Sequence, residues 1–578
     1  MKILLTAINA KYIHSNLAVY SLKASAGEYN RQIELAEYTI NNQKDYILED
    51  IYKRRADVVC FSCYIWNLAY VEEAAREYHK LCPETPIWAG GPEVSYHTED
   101  FLESHPYITG IMIGEGEATF RELCRHYNES KDSEALRDIA GLAYRKEGGE
   151  IVVTKGRTPL DMDSIPFCYD KMEDFSNRIV YYESSRGCPF SCSYCLSSVD
   201  KSLRFRNLSL VKRELLFFIE HKVPQVKFVD RTFNCNHQHA LEIWRFIKEH
   251  DQGITNFHFE ISADLLNQEA LETILDMRPG LIQLEIGVQT TNEAAIAEIH
   301  RVMKLERLKE VVMAIKRGGN VHQHLDLIAG LPYEGYESFK NSFDEVFALW
   351  PNQLQLGFLK VLKGSYMYDH AKEYGIVYHA NPPYEVMRTN WLTYEELLLI
   401  KRVEEMTEVY YNSSQFEITM KLIDAMAASA FDFFRQLGLY YEEKGYLTVS
   451  HSRIRRCEIL LDFLDEGDRS WLKSTIEAPD LGMLREAMTF DLYYRENCKT
   501  RPLWAADINS FKDIIRKYCR NGKMSHIEPF HYIFPEKDQW GIRTLPERRK
   551  DPVWVLFHYD ERDPLDHQAK AEYITVCL

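Results

Sequence analysis

No apolar run in the 578 residues approaches the roughly 20 consecutive apolar positions of a spanning helix. The opening Met1-Lys2-Ile3-Leu4-Leu5-Thr6-Ala7-Ile8-Asn9 turns polar too early for a secretory leader. The sequence therefore reads as cytoplasmic, with no membrane partner. Basic charge is also short: 69 Lys and Arg stand against 87 Asp and Glu, for a formal net charge of -18. Tracking a phosphate backbone needs clustered cations. The one short basic run, Lys201-Ser202-Leu203-Arg204-Phe205-Arg206, reads as a solvated loop, so nucleic acid is not expected as a partner. Thirteen cysteines in a chain this long do not make a secreted disulfide scaffold. Cys457, Cys498, Cys519 and Cys577 lie far apart with no Cys-x2-Cys among them, which argues against a cluster in the C-terminal third. Hydrophobic content of 46% and charged content of 27% are ordinary for a globular protein, and the length suggests about three or four domains.

The cysteines that are close together carry the chemistry. An apolar run, Ile179-Val180-Tyr181-Tyr182, reads as a strand and is followed by Ser184-Ser185-Arg186-Gly187-Cys188-Pro189-Phe190-Ser191-Cys192-Ser193-Tyr194-Cys195. Three thiolates within eight residues of one loop can converge on one metal centre, and soft thiolates select zinc or an iron–sulfur cluster. Structural zinc wants four protein ligands. No second close pair lies nearby, although Cys235 is available as a fourth thiol. Three ligands on a cubane would leave one iron open. The spacing Cys188-x3-Cys192-x2-Cys195, with Tyr194 before the last cysteine, resembles the signature of the radical S-adenosylmethionine (SAM) enzymes. Structural thiols or zinc are the alternative.

Ahead of this loop, apolar strands alternate with helical patterns: residues 2–8, 33–38, 58–62, 87–90 and 108–113 read as strands, with a helix over 70–81 and another running to about 127. That alternation predicts a parallel sheet covered on both faces, with ligands at the carboxyl ends of its strands. Those ends carry Ser62, Gly90-Gly91-Pro92 and Gly114-Glu115-Gly116-Glu117. Gly114-x-Gly116 lacks the third glycine of a dinucleotide fingerprint, and two glutamates are wrong for cradling a pyrophosphate. In front of a radical SAM loop, the Gly90-Gly91-Pro92 turn and the segment Gly114 to Phe120 resemble the cobalamin-binding domain of the class B radical SAM proteins. The resemblance implies a flavodoxin-like, doubly wound domain in which small residues let the backbone close around the nucleotide tail of cobalamin. The alternative is a docking domain whose glycines serve only as turns. The loop Asn9 to Leu17 lacks the Asp-x-His-x-x-Gly pattern that supplies a histidine to cobalt, so His14 is not expected as a ligand.

Residues 128–178 read as a connector with a hairpin across Gly148-Gly149. From Ile179 the strand–helix unit repeats, with strands at 226–229, 257–261, 282–288, 324–328 and 354–358 and helices including 209–221, 240–250 and 292–316. Six units are too few to close an eight-stranded barrel and match the partial barrel that the resemblance implies. Catalytic groups in such barrels sit at strand C-termini. The resemblance points there to Asp230, where relatives have an acid that meets the SAM amino group, and to Glu260, which resembles the family's third-strand acid. It also points to Gln289 near the ribose, Asp326 beside the adenine and Tyr194 stacking nearby. For the two acids the alternative is an ion pair with a barrel arginine such as Arg231 or Arg301.

The whole chain is thus expected to be α/β: a cobalamin-binding domain over 1–135, a connector over 136–178 and a partial radical SAM barrel over 179–365. A mostly helical domain over 366–578 would cap the barrel and choose the substrate. It holds helical patterns at 394–411 and 416–439 and a terminal strand pair at 553–559 and 571–576. The resemblance implies a [4Fe–4S] cluster on Cys188, Cys192 and Cys195, and SAM on its open iron. It further implies cleavage to a 5′-deoxyadenosyl radical, and methylcobalamin delivering a methyl group to an unactivated carbon of a small-molecule or peptide substrate. An external one-electron donor such as flavodoxin or ferredoxin would be required, and cluster lability suggests a cell with anaerobic metabolism. Radical rearrangement or cyclisation without methyl transfer is the second reading. A non-catalytic cobalamin or redox sensor is a third, which has no need of SAM contacts on four strands.

Overall fold

The computed structural model describes residues 1–129, 133–170, 172–175, 177–519, 524–534 and 545–576; Cys577 lies outside them. The chain forms two compact units. The first is Met1–Leu266 with Ile299–Val302 and Leu359–Met387; the second is Asn267–Glu298, Met303–Phe358 and Arg388–Leu578.

The first unit opens with strands β1 (Ile3–Asn9), β2 (Ile33–Thr39), β3 (Val58–Ser62), β4 (Ile87–Gly90) and β5 (Gly110–Met112). They lie in the order β2-β1-β3-β4-β5, all parallel. This is the flavodoxin-like order, in which a ligand crevice forms at the strands' carboxyl ends. Every residue of β1 is buried, as its unbroken apolar run required of a strand covered on both faces. Helix Leu68–Leu81 buries Leu68, Val71, Ala74, Ala75 and Tyr78, the single stripe that a 3.6-residue repeat puts on one side. The expected hairpin is β6 (Leu142–Arg145) with β7 (Ile151–Val153). Rather than standing alone in a connector, it extends the sheet as two antiparallel strands beyond β5.

Three strands of the repeat follow in the same unit: β8 (Val180–Tyr182), β11 (Gln225–Phe228) and β12 (Asn256–Ile261), parallel, with β11 in the middle. Between them, β9 (Ser185–Arg186) and β10 (Arg204–Phe205) form a two-residue antiparallel ladder across the cysteine loop. The second unit holds the other three, β13 (Ile282–Gln289), β14 (His322–Ala329) and β15 (Gln353–Phe358), parallel and in chain order. All six strands read from the sequence are present.

The helices differ more. The pattern over 292–316 is two helices, Glu293–Glu298 and Leu305–Gly318, separated by a turn in which His300 has φ 55°. The pattern over 416–439 breaks at Ala427-Ala428, and Ser429 caps a new helix, Ala430–Glu443, by accepting from the Asp432 amide. The terminal strands Val553–Arg562 and Ala569–Ile574 pair as expected, joined by a third, Ser525–Phe530. Among the described residues no helix is long and apolar enough to cross a membrane.

Helix Glu417–Met426 has no side-chain cap of its own. Asp491, buried on helix Leu481–Arg495, supplies one, accepting from the amides of Ile418 and Thr419 at 2.9 Å each and from Thr419 Oγ1 at 2.7 Å. Burial nevertheless pushes its carboxyl up to about 6. An unfolded aspartate titrates near 4. Between those values the folded chain holds the extra proton, so this group's contribution to stability falls as pH rises through about 4 to 6. A shift of this size corresponds to roughly 3 kcal/mol. The expected result is that the melting-temperature difference between the parent and Asp491→Asn moves in the variant's favour from pH 4 to pH 7. A difference independent of pH would show that the buried carboxyl is not raised.

Candidate active site

The cysteine loop leaves the carboxyl end of β8, and a buried aspartate fixes its first step. Asp230, after β11, accepts from the Ser184 amide at 2.9 Å and from Ser184 Oγ and Ser185 Oγ at 2.6 Å each. It is fully buried, and that burial pushes its carboxyl up to about 7. Thus the acid expected to meet SAM has both oxygens engaged by the serines of the loop's root. His239 Nε2 stands 3.1 Å from Ser184 Oγ, and burial holds this imidazole down to about 4, hence neutral at pH 7. Next comes Gly187 at φ +87°, where a Cβ would lie 2.7 Å from the Ser202 carbonyl oxygen, so only glycine fits.

Cys188 donates its amide to the Asp200 carbonyl at 3.2 Å, and the Cys195 amide closes a turn onto the Cys192 carbonyl at 3.1 Å. Ser193 is tied on both sides. Its amide donates to the Ile299 carbonyl and its carbonyl accepts from the Met367 amide, both at 2.9 Å. Arg301 places Nη1 4.0 Å from Cys192 Sγ and 3.4 Å from Tyr194 Oη. Burial raises the Cys192 thiol while Arg301 opposes that rise. The twelve described cysteines are all free. Among the described residues no three His, Cys, Asp or Glu side chains gather closely enough to hold a single metal ion. Three soft thiols on one loop fit a thiolate-held iron–sulfur cluster with one iron left open. The thiol of Cys235, in the turn Phe233–Cys235, is pushed up to about 11 by burial and by the neighbouring Cys188.

Of the other expected SAM contacts, Glu260 and Gln289 stand at strand ends, whereas Asp326 lies within β14, three residues short of its end. Glu260 on β12 has Oε2 3.5 Å from Arg231 Nη1, and the Arg231 side chain remains 54% exposed. In the second unit, Gln289 closes β13 at φ +72° beside a bulge, with its side-chain oxygen buried and unbonded. The next residue, Thr290, donates to Glu334 Oε1 at 2.5 Å, and Ser342 donates to the same oxygen at 3.1 Å. Burial pushes the Glu334 carboxyl up to about 7. Asp326 Oδ1 lies 3.1 Å from His324 Nε2, two residues away on β14.

On the sheet side of the first unit, Ser62, Gly90 and Gly114 stand at or just beyond the ends of β3, β4 and β5. The Cys63 amide donates to the Gly90 carbonyl at 2.7 Å, and Gly91 turns at φ +117°. Pro92 follows, and then Ser95, whose hydroxyl donates to the Gly91 carbonyl at 2.8 Å and accepts from the Gly114 amide at 3.4 Å. At Gly114, φ is +73° and a Cβ would meet nothing within 4 Å. These backbone edges fit the approach of a large planar cofactor's polar tail. Gly116 instead packs near Leu22, and the two glutamates of the segment turn to the cysteine loop. Glu117 accepts from Arg186 Nη2 at 2.5 Å; Glu115 accepts from Arg204 Nη1 and from the Leu160 amide, both at 2.7 Å. Burial works to raise Glu117, and Arg186 overcomes it, leaving the carboxyl below its usual value. His14 Nδ1 lies 2.6 Å from Tyr181 Oη and is held low by burial.

Sequence reasoning missed Ser95, Ser184, Ser185, Arg186, Arg204, His239 and Arg301 as parts of this site. Of these, Ser184, Ser185 and Arg186 stand within the cysteine stretch itself, so their position was their signal. Arg301 was read only as a possible ion-pair partner of the strand-end acids; nothing in the sequence showed that it reaches the cysteine loop from 109 residues away.

Three family models match the chain: a B12 binding domain over 3–124, the radical SAM superfamily over 182–346, and a family of unknown function, DUF4080, over 372–542. The 2-(S-pantetheinyl)-carbapenam-3-carboxylate methyltransferase of Streptantibioticus cattleyicolor is 28% identical over 320 residues, 49% of this chain and 44% of that protein. The anaerobic magnesium-protoporphyrin IX monomethyl ester cyclase of Rubrivivax gelatinosus is 22% identical over 328 residues, 55% of this chain and 59% of that one. The chain therefore spans about half the length of the curated relatives it matches. Among solved structures, the radical SAM methyltransferase TsrM from Kitasatospora setae, with cobalamin and a [4Fe–4S] cluster bound, superposes with a TM-score of 0.54 at 16% identity. The match covers 66% of this chain and 76% of TsrM. The cobalamin-dependent SAM radical enzyme OxsB, with aqua-cobalamin and SAM bound, gives 0.53 at 15% identity over 84% of this chain and 78% of OxsB. A match to a B12 binding domain is thus followed by a match to the radical SAM superfamily, with the three-cysteine loop leaving the first strand of the latter, an arrangement similar to that of the cobalamin-dependent radical SAM enzymes.

Proposed function

We propose that this chain cleaves SAM reductively at a [4Fe–4S] cluster and methylates an unactivated carbon of a small-molecule or peptide substrate. The observation that carries the reading is the free three-thiol loop of Cys188, Cys192 and Cys195, hydrogen-bonded into one compact unit with a flavodoxin-like domain. When bound, the cluster would supply an electron to SAM and cobalamin a transferable methyl group; the protein orients both and excludes water.

The chain's own residues divide that work. Cys188, Cys192 and Cys195 would hold the cluster. Ser62, Gly90, Gly91, Pro92, Gly114 and Gly116 would form the cobalamin edge, whereas Glu115 and Glu117, expected there from the sequence, bond to Arg204 and Arg186. Tyr194, Glu260, Gln289 and Asp326 would meet SAM, while Asp230 would act through Ser184 and Ser185, to which it is bonded. We assign cobalamin to 1–135, the radical reaction to 179–365 and substrate choice to 366–578, with 136–178 linking the first two. An external one-electron donor such as flavodoxin or ferredoxin and a cytoplasmic setting belong to the same reading. The similarity to a cyclase favours, as the second reading, cobalamin-dependent cyclisation without methyl transfer.

The deciding experiment is anaerobic reconstitution with iron, sulfide and cobalamin, followed by reduction and mass spectrometry of the nucleoside products. Both 5′-deoxyadenosine and S-adenosylhomocysteine are expected, the second because remethylating cobalamin consumes another SAM. Deoxyadenosine alone would replace methyl transfer by cyclisation or rearrangement. Intact SAM on a cofactor-loaded protein would leave a substrate-gated enzyme or a sensor, with SAM binding the next measurement.

A further inference from the structure

Arg186 lies two residues before the first cluster cysteine, and its guanidinium is ringed by carboxylates. Nη2 is 2.5 Å from Glu117 Oε1, Nε is 2.8 Å from Glu183 Oε2, and Nη1 is 3.4 Å from Glu115 Oε1. Glu117 is buried, and Ser21 Oγ donates to its Oε1 at 2.9 Å. Arg204, paired with Arg186 across the β9–β10 ladder, places Nη1 2.7 Å from Glu115 and Nη2 3.0 Å from Asp200. Asp200 in turn offers its carbonyl to the Cys188 amide. Both arginines of the ladder that flanks the cluster cysteines are thus spent on the two glutamates of Gly114-Glu115-Gly116-Glu117.

We infer that Glu115 and Glu117 are positioning residues for the cluster loop: they clamp Arg204 and Arg186, and so hold the B12-binding domain's turn and the cysteine loop as one rigid piece. The inference rests on the cluster and cobalamin assignments above and changes the role of these two glutamates within them. A carboxylate already bonded to a guanidinium fork has little capacity left for a corrin amide, and removing Glu117 takes from Arg186 the partner that grips its fork while Glu183 and Glu115 still offset its charge. The geometry therefore gives Glu117 to the protein rather than to the cofactor. Glycine at 114 and 116 lets the backbone bring both glutamates to the ladder from one turn.

The test uses full-length protein and the variants Glu117→Gln, Arg186→Lys, Arg186→Gln and the double Gln variant. Hydrogen–deuterium exchange of the 183–206 peptides is read with and without cofactors. Bound cobalamin is read by absorbance, and the reduced cluster by electron paramagnetic resonance. Glu117→Gln is expected to speed exchange in those peptides about tenfold and to alter the cluster signal, while cobalamin content stays at the parent level. Arg186→Lys, which keeps the charge without the fork, is expected to fall between parent and Arg186→Gln. The double variant is expected to be no worse than the worse single one, because the two act through one interaction. Loss of cobalamin from Glu117→Gln with unchanged loop exchange would overturn the clamp and return the residue to the corrin. Additive effects in the double variant would also overturn it. A parent protein that binds neither cofactor would instead refute the proposed function, while the exchange data on cofactor-free protein would still decide the clamp.

Discussion

Cys192→Ala is expected to yield a folded protein with no stable iron–sulfur cluster and no detectable 5′-deoxyadenosine. The cysteine supplies one of three thiolates, and two cannot retain a cubane on a half-exposed loop. The loop's backbone turns do not use that sulfur. The turn is closed by the Cys195 amide on the Cys192 carbonyl and by the two backbone bonds of Ser193. Circular dichroism and cobalamin uptake should therefore match the parent, while iron and sulfide analysis and the SAM-cleavage assay should not. Cleavage at the parent rate would remove the basis of the cluster assignment. The adjacent Arg301 gives a graded companion. Its guanidinium lies 4.0 Å from the same sulfur, so Arg301→Gln should leave the cluster bound but shift its potential.

At the cobalamin edge, adjacent glycines should behave differently. A methyl group on Gly91 would sit 2.4 Å from the Cys63 carbonyl oxygen, with φ at +117°, in a region L-residues avoid. Backbone oxygen cannot swing aside as a side chain can, so Gly91→Ala combines strain with overlap at about 2–4 kcal/mol. The expected outcome is a lower melting temperature and loss of cobalamin uptake. At Gly90 the nearest atom to a new Cβ is the Met112 carbonyl oxygen at 3.5 Å, an ordinary contact. Gly90→Ala should melt within a degree or so of the parent and still bind the cofactor. Equal behaviour of the two variants would mean that the turn at Gly91 relaxes, contrary to its close packing on Cys63.

How much of this could be read beforehand followed the range of the interactions involved. β1, β3 and β4 were legible because a strand buried on both faces must be apolar throughout, and that is a local property. The cysteine loop was legible because its three thiols are crowded into eight residues. By contrast, the break between Glu298 and Leu305 was invisible: the apolar repeat runs straight through it. What interrupts the helix is a distant demand, since the Ile299 carbonyl must reach the Ser193 amide and Arg301 must reach Cys192. Strand Ser525–Phe530 escaped because Pro529 counts against a strand; it is tolerated because this strand lies at the edge of its sheet. For Asp230 and Glu117, the family resemblance and strand-end placement promised a cofactor contact. Which acids turn to a neighbouring serine or arginine depends on loops brought together only by the folded chain.

The first compact unit is not finished where its contiguous part stops. Ser193 needs Ile299 and Met367, and buried Glu93, just past Pro92, accepts from the Tyr384 hydroxyl at 3.0 Å. On the ribosome, a nascent chain that has reached Leu266 therefore carries every cluster cysteine but lacks the residues that hold their loop. Domains generally fold in the order in which they are synthesised. Here the earliest half of the protein must wait for residues up to Met387 before it can close. Cluster delivery is thus expected to be a late, post-synthetic event. A fragment ending at residue 266 should therefore be alkylated at these thiols faster than the full chain.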